Sequence, residues 1–162
     1  MRKSAHELAA DIQAAMGDAW LPRIYRERIL RMRTRAYAFP TLPRNAAPDI
    51  HHTLLGIELK IGRRRMLCPD LATARYLAVL ARIRCQAVAV PYDITKISQI
   101  ADELESSWHR MLLLTDEQSR EHSQALRTRT QRLLSEKVRD EIAAAGPGPQ
   151  APEFPKATKQ RR

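Results

Sequence analysis

Apolar residues recur along this chain in two rhythms, and the places where the rhythm changes divide it into elements. From His6 to Met16, Leu8, Ile12 and Met16 stand four residues apart among alanines, the period and composition of a helix that Gly17 and Asp18 end. A second helix is expected from near Trp20, with Pro22 in its first turn, where a missing N–H costs nothing. At about 100° per residue, Leu21, Tyr25, Ile29 and Met32 fall on one side of it and Arg23, Arg26, Arg31 and Arg33 largely opposite. The reading is an amphipathic helix with an arginine face. Pro40, Pro43 and Pro48 then mark a loop, because proline donates no ladder bond and keeps its predecessor out of the helical region.

From Thr53 the period drops to two. Leu55, Ile57, Leu59 and Ile61 alternate with Leu54, Gly56, Glu58 and Lys60, the pattern of a single strand with one buried face. Gly62, Arg63 and Arg64 read as the turn of a hairpin returning through Arg65 to Cys68. Asp70 is placed to cap a helix over Leu71 to Arg84, apolar around most of its circumference and therefore buried on more than one side. Gln86 to Val90 reads as a short interior strand, parallel to the one ending at Cys68 through a βαβ crossover. Asp93 or Thr95 caps a further helix carrying Ile97, Ile100, Ala101, Leu104, Trp108 and Met111 on one face. A last helical stretch, Asp116 to Ala145, has only the sparse seam Leu126, Leu133, Val138 and Ile142, too narrow for central core.

These elements predict an α/β fold, with α+β as the alternative grouping. A small mixed sheet, built from a β-hairpin and a βαβ unit, is flanked by N-terminal helices and a long C-terminal helical extension. Residues 1–115 are expected to form one domain with a basic N-terminal helical pair, 116–145 the helical extension, and 146–162 a disordered basic tail with four prolines and two glycines. A length of 162 residues allows one real core, and 44% hydrophobic residues with 5% aromatics make that core aliphatic. No apolar run reaches the ~18 residues of a membrane span, and the N-terminus lacks a secretory apolar segment, so a cytoplasmic address without membrane partners is expected. Cys68 and Cys85 match no zinc or thioredoxin spacing and read as buried free thiols.

Charge changes the picture. The net charge is +10, and it is unevenly placed: 13 Lys/Arg against 6 Asp/Glu up to Arg65, balance from Met66 to Ala145, and 4 against 1 beyond. Six arginines lie between Arg23 and Arg35, and Arg63, Arg64 and Arg65 crowd the expected hairpin tip. Guanidinium forks suit phosphate oxygens, so Arg23, Arg26, Arg31, Arg33, Arg63, Arg64 and Arg65 are the candidate nucleic-acid-binding residues, with DNA and RNA not distinguished. The function expected first is that of a nucleic-acid-binding accessory protein. An adaptor or subunit of a larger complex, meeting a protein partner or a second copy through the C-terminal helix, is the alternative from the binding class.

Pro48-Asp49 followed by Glu58-Leu59-Lys60 resembles the motif of the PD-(D/E)xK nuclease superfamily. The resemblance spans roughly residues 6 to 91, with a helix before the motif and a helix and strand after it. It implies Asp49 and Glu58 as ligands of a divalent metal and Lys60 as the cation that positions or activates the attacking water. Magnesium is expected only on this reading, and otherwise no cofactor. With Thr53 to Ile61 read as one unbroken strand, nine residues of extended chain would hold Asp49 and Glu58 about 30 Å apart, too far to share a metal. A turn at His51 to Thr53 would bring them together.

Two further sets bear on chemistry. Parallel strands ending at Cys68 and Val90 would place Asp70, Tyr92, Asp93 and Thr95 at one carboxyl edge, a usual ligand position, although helix capping accounts for both aspartates more simply. His51 and His52 are adjacent and would point to opposite faces of a strand. His109 and His122 have no partner at ligand spacing.

Overall fold

The computed structural model describes residues 3–42 and 47–148. Pro43 and residues 149–162, and with them nearly all of the expected basic tail, lie outside the described residues. The chain is a mixed α/β protein. Helix α1 (Ala5–Met16) starts at a capping box in which Ser4 and Glu7 exchange hydrogen bonds. A 3₁₀ turn, Gly17–Ala19, leads to α2 (Leu21–Ile24), which continues as a π-helical turn, Tyr25–Ile29. Strands β1 (Thr34–Ala38), β2 (Pro48–Thr53), β3 (Gly56–Ile61) and β4 (Arg64–Cys68) follow. Helix α3 (Leu71–Ile83), strand β5 (Ala87–Pro91) and the long helices α4 (Ile94–Gln118) and α5 (Gln124–Ala145) complete the order.

The strands form two antiparallel sheets: the meander β2-β3-β4 and the ribbon β1-β5. The expected parallel βαβ pairing is therefore corrected, because β5 pairs with β1 in the register Thr34↔Pro91 to Ala38↔Ala87. The physical reason lies at the other edge of β5. The Phe39 N–H donates to Gln86 O and the Tyr92 N–H to Arg33 O, which sets the ladder phase so that Ala89 turns its N–H and C=O away from β1. The Tyr25 hydroxyl accepts from Ala89 N (2.9 Å) and donates to Gly146 O (2.7 Å), while the Tyr76 hydroxyl donates to Ala89 O (2.5 Å). Two fully buried tyrosines thus satisfy the polar groups that a parallel neighbour would have used.

The strand expected over Thr53 to Ile61 is also corrected. It begins at Gly56, and a tight turn at Leu54-Leu55 joins it to β2. Leu55 N donates to the Thr53 hydroxyl (3.2 Å), which itself donates to Gly56 O (3.0 Å). Gly56 takes φ +129°, a conformation that side chains oppose. Both leucines stand in solvent.

The core is continuous. Leu59 and Ile61 from β3 meet α3, and Ile12, Tyr25, Ile29, Leu80, Ile100, Leu104 and Met111 belong to the same buried cluster. The last helix differs from its sparse reading, since Leu134, Val138 and Ile142 are at most 1% exposed and pack into that cluster, with α1 alongside. Its start also moves: α4 runs through Asp116, and the cap of α5 is Ser123, which accepts from Leu126 N (3.1 Å). Cys68 and Cys85 are buried free thiols, and burial pushes Cys85 up to about 12. Among the described residues no helix is long and apolar enough to cross a membrane.

Candidate nucleic-acid interface

The arginine-rich segment does not form one helical face. The helix gives way after Ile29, so Arg31 lies in the turn that follows, Arg33 just before β1 and Arg35 within it. This corrects the expectation that Arg23, Arg26, Arg31 and Arg33 share one side. The helical arginines are already engaged. Arg23 reaches Asp18 and Glu27 (2.8 Å each), Arg26 reaches Glu141 (3.4 Å), and Arg28 pairs with Glu103. Arg23, Glu27, Arg28, Glu103 and Arg110 line a cavity of about 590 Å³ in which most of the charge is paired across the walls.

Arg33 and Arg35 have a different surrounding. Alternation in the ribbon buries Thr34 and turns its two neighbours outward on one face. The β1-β5 register then brings Tyr92, just past the end of β5, beside them. The Arg33 guanidinium carbon lies 4.9 Å from the Tyr92 ring centroid and that of Arg35 lies 5.8 Å away, both within cation–π range. Among the described residues no carboxylate is within ion-pairing distance of Arg31, Arg33 or Arg35. The neighbouring Asp93 carboxylate is turned to Thr95, accepting from its N–H (3.0 Å) and hydroxyl (2.6 Å), and these bonds lower its pKa. Tyr92 is 41% exposed. An exposed aromatic carrying two guanidinium groups is a feature the sequence pattern does not reveal, because Tyr92 and the arginines are joined only by the ladder.

The meander gathers the second set. Its register sets Asp49 opposite Lys60, His51 opposite Glu58, and Lys60 opposite Arg65. Since side chains alternate, Asp49, His51, Glu58, Lys60 and Arg65 share one face, while Leu59, Ile61 and Cys68 enter the core from the other. Asp49 and Glu58 are therefore diagonal neighbours on adjacent strands, about 7 to 8 Å apart at the backbone, which replaces the expected separation of about 30 Å. Asp49 Oδ2 lies 3.0 Å from His51 Nε2, and Ile50 N donates to Asp49 Oδ1 (3.0 Å). Among the described residues no three His, Cys, Asp or Glu side chains converge as a metal-binding group. Arg63 sits in the β3-β4 turn behind Gly62 (φ +61°), Arg64 lies opposite Ile61, and alternation sends Arg64 and Arg65 to opposite faces. All three are exposed.

The carboxyl-edge set disperses. Asp70 Oδ1 accepts from Thr73 N (2.7 Å) as the cap of α3, Asp93 caps α4, and the strands preceding them belong to different sheets. His51 and His52 do point to opposite faces. Compared with protein-family models, curated proteins and solved structures, the chain matches none.

Proposed function

We propose that the protein binds nucleic acid through the arginine end of the β1-β5 ribbon, where Arg31, Arg33 and Arg35 meet phosphate oxygens. One observation carries this reading: Arg33 and Arg35 gather on the Tyr92 ring with no carboxylate among the described residues in ion-pairing reach, whereas Arg23, Arg26 and Arg28 each have at least one. A guanidinium without an internal acid meets phosphate without first breaking a salt bridge, and its fork of donors matches two phosphate oxygens. Arg63, Arg64 and Arg65 extend the cationic surface at a second place, and Arg23 and Arg26 leave it. The adaptor alternative is less favoured, because α5 spends Leu134, Val138 and Ile142 inside its own core.

The test compares two double charge reversals in binding to labelled DNA and RNA at low salt. Arg33→Glu with Arg35→Glu is expected to weaken binding roughly tenfold or more, and Arg23→Glu with Arg26→Glu at most about threefold. Equal losses would mean diffuse attraction rather than this surface. Absence of binding by the wild type would end the reading.

A second reading, metal-dependent phosphodiester cleavage of the PD-(D/E)xK kind, is favoured by the single face that Asp49, Glu58 and Lys60 share. The two carboxylates would supply two protein ligands and leave open positions for water and substrate, with Asp49 Oδ2 now engaged by His51 and Oδ1 by the Ile50 N–H. Asp49 and Glu58 would hold magnesium, which supplies Lewis-acid activation when bound, and Lys60 would orient the nucleophilic water. Magnesium-dependent loss of full-length substrate that disappears in Glu58→Ala supports it, and unchanged cleavage in that variant excludes these residues.

A further inference from the structure

Resting on the nucleic-acid reading above, we propose that Tyr92 stacks an unpaired base, so that the preferred ligand of the ribbon surface is single-stranded nucleic acid. The placement of the ring carries the argument. Tyr92 follows Pro91, the last residue of β5, and keeps 41% of its surface open although two long side chains reach over it. Two residues further along the chain, Ile94, the first residue of α4, is 55% exposed. A surface built only to grip phosphates needs the guanidinium groups and gains nothing from apolar area left in water.

In a duplex the faces of the bases are closed by their neighbours in the stack, and a side chain at the outside meets phosphate, sugar or base edges. An unpaired base presents its π face. An exposed tyrosine offers the complementary surface, and arginine planes continue such a stack because a guanidinium is itself flat and weakly hydrated. Arg33 and Arg35, two residues apart on an extended strand, are spaced about 6.6 Å along it. That spacing lets both guanidinium groups turn to phosphates on either side of a base that rests on the ring. Because every base has a π face, stacking of this kind is tolerant of sequence, and the 2′-hydroxyl plays no part in it. DNA and RNA single strands are therefore two sources of the same ligand chemistry.

The experiment uses the full chain and three probes of equal length: oligothymidylate of roughly twelve nucleotides, the same backbone with abasic sites, and a duplex. Oligouridylate is run beside the first to separate DNA from RNA. The wild type is expected to prefer the oligothymidylate to the abasic strand. In Tyr92→Ala that preference should collapse by a factor of roughly 5 to 150, with little change for the abasic strand or the duplex. Tyr92→Phe should retain it, since stacking needs the ring and not the hydroxyl. If Tyr92→Ala weakens all three probes equally, the ring serves only to order the arginines; this inference fails and phosphate binding stands. If the wild type does not distinguish the normal strand from the abasic one, stacking is excluded without recourse to any variant. If no probe binds at low salt, the underlying reading fails as well.

Discussion

Removing one hydroxyl tests how the two sheets are kept apart. Tyr76 is fully buried, and burial raises its pKa well above the ordinary phenol value, so it is a neutral donor at any working pH. Its hydroxyl donates to Ala89 O, and Ala89 is itself inaccessible to solvent. Tyr76→Phe keeps the ring and its packing, so the main loss is one hydrogen bond to a buried carbonyl that water cannot replace. An orphaned buried acceptor costs about 1 to 3 kcal/mol. For a chain of this size that corresponds to a fall in Tm of about 2 to 12 °C. Tyr25→Phe should cost more, because the Tyr25 hydroxyl both accepts from Ala89 N and donates to Gly146 O. The assay is urea unfolding followed by circular dichroism, with the midpoint falling and the slope unchanged. The two changes act on one residue's N–H and C=O, so the double variant should depart from additivity. If both single variants stay within about 0.5 kcal/mol of the wild type, the tyrosines do not hold the edge of β5, and the account of its pairing fails.

Other outcomes follow from the same hydrogen bonds and burial. Asp70→Ala should lower stability by about 1 kcal/mol in chemical denaturation through loss of the cap of α3, and Asp93→Ala should also lower the unfolding midpoint through loss of the cap of α4. Arg75 bridges Glu105 (2.6 Å) and Asp102 between α3 and α4, and Arg75→Met should cost about 1 kcal/mol, less in high salt. Cys85 is raised by burial from 9.0 to about 12, so folding keeps a proton that the unfolded chain releases. Its contribution to stability is intact below pH 9 and is lost as pH rises toward 12, and native Cys85 should resist a thiol reagent at pH 8 that modifies it after unfolding. Leu54→Ser with Leu55→Ser should leave stability within about 0.5 kcal/mol per site, because both side chains already stand in solvent.

What was legible in the sequence was local. The helices announced themselves by period and caps: Leu8, Ile12 and Met16 on α1, Asp70 before α3, and the stripe from Ile97 to Met111 on α4. The hairpin at Gly62-Arg63 was legible because glycine there takes a left-handed turn. Strand β1 was not, since Thr34-Arg35-Ala36-Tyr37-Ala38 shows no period-two alternation of apolar and polar residues, and its strand state is set by β5 far along the chain. Leu54-Leu55 hid a turn, because two leucines continue an apolar pattern and only Thr53 and Gly56 signal the reversal. The buried row of α5 is Thr130, Leu134, Val138 and Ile142, which shares Val138 and Ile142 with the expected seam, while Leu133 packs against the core half-buried and Leu126 lies outside the buried row. At the candidate sites, the arginines could be counted but not their partners. That Glu141 and Glu103 engage Arg26 and Arg28, while Tyr92 reaches Arg33 and Arg35, depends on packing between distant segments. Asp49, Glu58 and Lys60 were found by their spacing, and the hidden turn alone kept their common face from view.

The salt dependence of binding to a single-stranded oligonucleotide tests the central claim most directly, measured for the wild type and for Arg33→Ala with Arg35→Ala. If the two guanidinium groups each meet a phosphate, log K falls linearly with log salt, and the variant's slope is shallower by about 1.4, near 0.7 for each phosphate of a single strand that the variant leaves unneutralised. An unchanged slope with unchanged affinity would contradict the assignment of this surface.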